Sequence, residues 1–295
     1  MTINNDEREG PSELKGERVL VSVIGGGRMG TGIAHAFLVT GSRVRLIEAS
    51  PDLAEVATDR VVSMVEASDQ RHLLNEPVDD VVARLSVHTS VGEVVGSRLV
   101  VEAVPEDVAL KAVVLTTADA VLDDAALLAT NTSSISIDEL SQFTSRPERL
   151  LGLHFFNPVP ASLLVEVVRG TRTSEDAVAE AREWVKVLAK TPVVVKDSPG
   201  FASSRLGLAL GLESIRMVEE GVASPEDIDA AMTLGYKHPV GPLRLTDMVG
   251  LDVRLGIARY LQSRLGDRFA PPRLLEEMVE QGLLGQKTGR GFYEW

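Results

Sequence analysis

The sequence predicts an α/β protein, with a doubly wound, mostly parallel sheet followed by an all-α C-terminal domain. Three observations predict it. Val19–Ala36 (VLVSVIGGGRMGTGIAHA) starts as a Val-rich apolar run, breaks into glycines and resumes as a helix. The first part suits a strand buried on both faces. Strand-like and helical stretches then alternate as far as Val195, which implies βαβ units and a sheet covered on both sides. After Asp197-Ser198-Pro199-Gly200 no strand-like run of any length follows, so a domain boundary is expected there. The expected organisation is a flexible tail over 1–17, a sheet domain over 18–197 and a helical domain over 198–295.

Taken in order, Arg43–Ile47 is the second strand, closed by Glu48. Ser50 with Pro51 is a helix start, and the helix is expected to run to about Ser68. Further helix is expected over Pro77–Arg84, and short strands at Val87–Thr89 and Arg98–Val104. Asp107–Leu122 is expected to be helical, Ala126–Thr130 a strand, and a short helix starts near Ile137. Leu151–Phe156 and Leu163–Val168 are strands around the Asn157-Pro158-Val159-Pro160 loop. Thr173–Lys190 is an amphipathic helix with Thr173 and Asp176 as its capping pair and Val178, Ala181, Val185 and Leu188 as its apolar stripe. Thr191–Val195 is the last strand. Helices are expected at about 201–220, 225–234, 243–265 and 272–281, the second opened by Ser224-Pro225.

Composition narrows the function. A chain of 295 residues, 44% hydrophobic and 25% charged, can build a sizeable core in about two domains. A net charge of −13 argues against nucleic acid and anionic membrane surfaces as partners. With no cysteine there is no disulfide, thiolate metal site or Cys nucleophile, and no metal is expected. The polar N-terminus lacks the basic and apolar regions of a secretory signal, and no apolar run is long enough to span a membrane. A cytoplasmic enzyme fits these features.

The glycine run carries the first chemistry. Gly25, Gly27 and Gly30 stand at G-x-G-x-x-G spacing between a strand and a helix, with Glu48 ending the next strand about 20 residues on. Gly25 makes the tight turn, Gly27 lets a pyrophosphate approach, and Gly30 lets the helix pack closely on the strand. Arg28 and Met29 lie inside the same turn. The helix N-terminus offers N–H groups and a positive dipole end to phosphates. A carboxylate at Glu48 accepts hydrogen bonds from a ribose 2′-OH and repels a 2′-phosphate, so NAD is favoured over NADP. This is a Rossmann-type dinucleotide site. In such sheets ligands sit beyond the carboxyl ends of the strands. The polar groups expected there are Glu48, Glu106, Asn131-Thr132-Ser133-Ser134, His154 with Asn157, and Glu166, each ending or following a strand. Of the five histidines, His35, His72, His88 and His238 fit structural positions. His154 lies in an apolar strand, where an imidazole requires a partner. A histidine suits proton transfer near neutral pH, and a buried carboxylate can orient it.

The set Gly25-x-Gly27-x-x-Gly30, Asn131-Thr132-Ser133-Ser134, His154-Phe155-Phe156-Asn157-Pro158, Asp197-Ser198-Pro199-Gly200-Phe201 and Lys287-Thr288-Gly289-Arg290-Gly291-Phe292-Tyr293 resembles the 3-hydroxyacyl-CoA dehydrogenase family, most of all its short bacterial 3-hydroxybutyryl-CoA members. The resemblance runs from Val19 to Trp295. It implies oxidation of an L-3-hydroxyacyl-CoA by NAD, and the reverse reduction. It implies that His154 is the catalytic base, Glu166 its paired carboxylate and Ser133 a hydrogen-bond donor to the substrate oxygen. Glu106 and Lys111 match cofactor-contacting positions, and Asn157 and Lys287 match residues at the nicotinamide end, so both domains are expected to contribute. Where the family carries an Asn before Arg205, this chain has Ser204, a weaker catalytic candidate with one donor instead of two. The resemblance also implies a homodimer formed through the helical domain, with β-oxidation-type chemistry. Two other readings stay open from the residues: a dehydrogenase of a non-CoA hydroxy acid such as a sugar acid or carnitine, and a catalytically weak NAD-binding structural protein. Arg60 is a possible but weak contact for the CoA moiety.

Overall fold

A computed structural model of the chain describes residues 19–295. The tail expected over 1–17 lies outside the described residues. The described residues divide into two compact units, the first ending at Asp197 and the second spanning 198–295.

The first unit holds one eight-stranded sheet. Its strands are β1 (Leu20–Ile24), β2 (Arg43–Ile47), β3 (Leu85–His88), β4 (Leu99–Glu102), β5 (Leu127–Thr130), β6 (Leu150–Phe155), β7 (Leu164–Arg169) and β8 (Thr191–Lys196), in the spatial order β3-β2-β1-β4-β5-β6-β7-β8. The first six run parallel, and β7 pairs antiparallel with β6 and parallel with β8. The order reverses between β1 and β4, the switch point at which such sheets bind ligands. The apolar runs behave as their composition requires: β4 and β5 are buried along their whole length.

Helices α1 (Arg28–Val39), α2 (Pro51–Gln70), α3 (Val78–Val82), α4 (Val108–Asp119), α5 (Ile137–Leu140) and α6 (Glu175–Val187) complete the unit. Phe37 of α1 meets Trp184 of α6 edge to face, with ring centroids 6.0 Å apart. Burying each such ring stabilises the unit by roughly 1.5–3 kcal/mol. Ser50, Asp107, Ser136 and Ser174 cap α2, α4, α5 and α6 through their side-chain oxygens. The cap of α6 corrects the expectation of Thr173. That side chain is buried, accepting from the Gly170 N–H and donating to the Leu150 carbonyl, which leaves the cap to the next residue. The stripe of Val178, Ala181, Val185 and Leu188 is buried as its spacing implies.

The second unit is helical: α7 (Ser203–Glu219), α8 (Pro225–Ala230), α9 (Pro242–Val249), α10 (Leu251–Leu265) and α11 (Arg273–Glu280). The single helix expected over 243–265 is two. Gly250, at φ +104°, breaks it, a backbone conformation that suits glycine and cannot continue a helix. A core of Leu208, Leu212, Ile215, Leu243, Leu255 and Leu261, with neighbours, joins these helices. No helix among the described residues is long and apolar enough to cross a membrane.

Candidate active site

The loops that follow β1, β2, β4 and β5, together with the end of β6, lie along one edge of the first unit's sheet. Steric necessity explains two of the three glycines. Gly25 sits at φ +100°, and a Cβ there would lie 2.7 Å from the Ala103 carbonyl oxygen. A Cβ on Gly30 would lie 1.7 Å from the Gly25 carbonyl oxygen, so only glycine allows α1 to leave β1 at this angle. At Gly27 a Cβ would meet nothing within 4 Å. Gly27 is the N-cap of α1, no side chain caps it, and the first turn contains no acid. An open space faced by unsatisfied N–H groups and a positive dipole end fits a pyrophosphate. Arg28 is exposed beside it and Met29 half-buried. Glu48 is tied to the same turn: one carboxylate oxygen accepts the Gly26 N–H at 2.6 Å and the other the Ala49 N–H at 2.8 Å. These residues fit NAD.

Glu106, beyond β4, organises the loop after β5. Its Oε1 accepts from the Thr132 hydroxyl at 2.6 Å, the Ser133 and Ser134 N–H groups at 3.0 Å and the Ser134 hydroxyl at 2.9 Å. Burial pushes this carboxyl up, but the Thr132 hydroxyl, the Lys111 ammonium, and the Ser134 and Ser133 donors outweigh it and hold the group below the usual carboxylate range. Ser133 is thereby presented at the surface of an ordered turn. Lys111 is enclosed: it is 1% exposed, with Nζ 2.7 Å from Glu102 Oε1 and 3.4 Å from Glu106 Oε2. Glu102, fully buried, also accepts the Thr130 hydroxyl at 2.6 Å and the Val104 N–H at 2.7 Å. Lys111 therefore acts on the site's edge through two carboxylates rather than from its surface.

His154 and Glu166 are direct partners across the β6–β7 ladder, on one face of the sheet. Nδ1 of His154 lies 2.8 Å from Glu166 Oε2, and the residues are 5% and 1% exposed. Phe156 packs on the imidazole with centroids 4.6 Å apart. The route by which Glu166 reaches this edge corrects the sequence reading. It does not end a strand. It is the third residue of β7, and because β7 is antiparallel its N-terminal part lies beside the carboxyl end of β6. Asn131 Oδ1 accepts the Phe155 N–H at 2.9 Å, stitching the Ser133 loop to the strand of His154. Asn157 is exposed just beyond β6. With Arg28, Thr31, Arg60, Met64 and Val159 it lines an open cleft of about 810 Å³.

Ser204 and Lys287 belong to the second unit. Ser204 is half-buried in the first turn of α7, and Lys287 pairs with Asp252. The segment bearing Lys287 is anchored by Asp247, which is 1% exposed and accepts from the Phe292 and Tyr293 N–H groups and the Trp295 indole, each at 2.9 Å. Sequence reasoning missed Glu102 and Lys190, and it missed that Asp247 is an anchor and Asn131 a tether. Only Glu102 left a signal, as a lone charge in the apolar run RLVVEAV, where it requires a cation or donors. His35 is the other buried imidazole. It lies 2.9 Å from the Ser68 hydroxyl, and burial lowers its pKa to about 4, so it stays neutral.

The NAD-binding-domain model of 3-hydroxyacyl-CoA dehydrogenase matches residues 20–198, and the model of that family's C-terminal domain matches 200–295. The chain is 40% identical over 277 residues to a probable 3-hydroxybutyryl-CoA dehydrogenase of Bacillus subtilis, covering 93% of this chain and 96% of that one. It is 41% identical over 279 residues to 3-hydroxybutyryl-CoA dehydrogenase of Mycobacterium tuberculosis, covering 93% and 98%. The crystal structure of (S)-3-hydroxybutyryl-CoA dehydrogenase from Ralstonia eutropha superposes with a TM-score of 0.89 at 39% identity, covering 95% and 99%. With both halves of the chain matched in order and the glycine turn built for a dinucleotide, this protein belongs to the 3-hydroxyacyl-CoA dehydrogenase family.

Proposed function

We propose that this protein interconverts an L-3-hydroxyacyl-CoA and its 3-ketoacyl-CoA, with short acyl chains as in its 3-hydroxybutyryl-CoA relatives. The observation that carries the reading is the buried His154–Glu166 pair on the same edge of the sheet as the dinucleotide turn. NAD, when bound, would supply the hydride acceptor for C3 of the substrate. His154 takes the hydroxyl proton at Nε2, since Nδ1 is committed to Glu166. The carboxylate holds the ring's orientation and stabilises the imidazolium that forms. Ser133 donates to the substrate oxygen from the turn that Glu106 orders, and Glu48 receives the ribose hydroxyl. Asn157 serves the nicotinamide end. The family resemblance supports Ser204 as a further donor to the substrate oxygen and Lys287 at the nicotinamide end. Arg28 and Arg60, offset in part by Asp59, leave the cleft beside Asn157 with a net positive lining, which supports its holding an anionic CoA ester.

Exposed Leu206, Leu234, Tyr236 and Met248 support self-association of the helical unit into a homodimer. The test is to mix the protein with NADH and acetoacetyl-CoA and follow the absorbance of the reduced nicotinamide. Oxidation of NADH is expected. Turnover of a non-CoA hydroxy acid with NAD, without turnover of acetoacetyl-CoA, would refute the substrate class. NADH binding without turnover of either would refute the enzyme reading.

A further inference from the structure

The loop joining β6 to β7 carries Asn157, and a buried ammonium holds it from beneath. Lys190, which directly precedes β8, is 8% exposed. Its Nζ donates to the Val159 carbonyl at 2.7 Å and to the Ser162 carbonyl. Those oxygens stand three residues apart in one turn, whose own bonds run from the Ala161 and Ser162 N–H groups to the Pro158 carbonyl. The turn also rests on α1: Val159 is 2% exposed, and a Cβ on Gly32 would lie 2.9 Å from the Val159 Cβ. Neither contact of Lys190 is to a carboxylate. Burying an ammonium is costly, and its donors here serve two carbonyls of a single loop. An apolar side chain of the same length would fill the space without fixing that loop.

We propose that Lys190 is a positioning residue for hydride transfer: its ammonium and the bare surface of Gly32 fix the β6–β7 turn, and so set Asn157 against the nicotinamide end in register with His154. The proposal rests on the assignments of Asn157 and His154 made above. A displacement of about 1 Å in a positioning group can lower a rate about 10²-fold, so the signature is kinetic.

The experiment compares wild type with Lys190→Met, Lys190→Arg and Gly32→Ala. It measures kcat and KM with acetoacetyl-CoA, the primary isotope effect with deuterated NADH, NADH affinity by fluorescence, and backbone hydrogen exchange over 157–162. Rates are normalised to the folded fraction. Lys190→Met should lower kcat about 10–100-fold, change NADH affinity less than about 3-fold, raise the isotope effect and speed exchange of the turn. Lys190→Arg should recover part of kcat. Gly32→Ala pushes the same turn through a separate contact with the lysine in place, so it should give the same pattern more weakly. It decides the matter if Lys190→Met does not fold. Unchanged kcat per folded molecule would overturn the proposal. So would a loss of NADH affinity that accounts for the whole loss of rate. If wild type itself does not turn over acetoacetyl-CoA, the substrate reading fails instead, and the clamp is then judged by exchange alone: unchanged exchange in Lys190→Met overturns it.

Discussion

Replacing Lys111 by Met tests the electrostatic framework beneath the site. The side chain is 1% exposed and its ammonium lies 2.7 Å from Glu102, which is itself fully buried. Met fills similar volume, so the packing change is small and the charge is what is lost. Glu102 would keep the Val104 N–H and the Thr130 hydroxyl but lose its only cation among the described residues. Removing one partner of a buried ion pair costs about 3–5 kcal/mol, because the remaining charge stays desolvated. At about 2–4 °C per kcal/mol for a unit of this size, the melting temperature should fall by roughly 6–20 °C. The assay is urea and thermal unfolding followed by far-UV circular dichroism, on wild type, Lys111→Met, Glu102→Gln and the double variant. Glutamine can accept the Val104 N–H at Oε1 and donate from Nε2 to the Thr130 hydroxyl, keeping both contacts without a charge. The double variant should therefore recover most of the loss and lie within about 2 kcal/mol of wild type. A Lys111→Met protein within about 1 kcal/mol of wild type would refute the reasoning. So would a double variant no more stable than Lys111→Met.

His154→Gln should abolish measurable turnover while NADH affinity, read by fluorescence, stays within a few-fold of wild type. Loss of cofactor binding as well would contradict the separation of the proton-transfer and dinucleotide groups. Ser204→Asn should keep or raise kcat, because an amide supplies a second donor where one donor can be worth about 10²-fold; a large loss would show the position is misassigned. His35 binds its proton at 6.5 unfolded but only at about 4 in the core, because burial disfavours the charged ring. Its contribution of roughly 3 kcal/mol is present above pH 6.5 and is lost as pH falls toward 4. His35→Leu should flatten that part of the stability curve, as measured by urea unfolding at several pH values. Asp247→Ala removes the acceptor of three N–H groups and should lower stability by about 3 kcal/mol. It should also expose the 286–295 segment to proteolysis; a segment still resistant to protease would count against the anchor.

Local rules made the first half of the site readable. The glycine spacing acts through contacts between neighbours in sequence: Gly30 needs no Cβ because the Gly25 carbonyl occupies that place. Glu48 follows a strand whose length and charge boundaries are plain in the chain. The cap Ser50 was legible because a short polar side chain bonds to an N–H three residues on. Thr173 misled for the same reason. Its hydroxyl had a local option in capping the helix, but a buried loop claimed it.

What the sequence determined by itself was therefore the alternation of elements, the dinucleotide turn and the one histidine in an apolar strand that had to find a partner. It also narrowed that partner to a few acids. Only the tertiary structure decided how the partner arrives. An antiparallel β7 brings the start of one strand against the end of another, and the register that sets Glu166 opposite His154 is fixed by the whole ladder. The same holds for Lys111 with Glu102 and for Lys190 with the carbonyls of Val159 and Ser162. Each joins separate elements of the fold. A buried charge announces in sequence that it needs a partner, and packing alone selects which one.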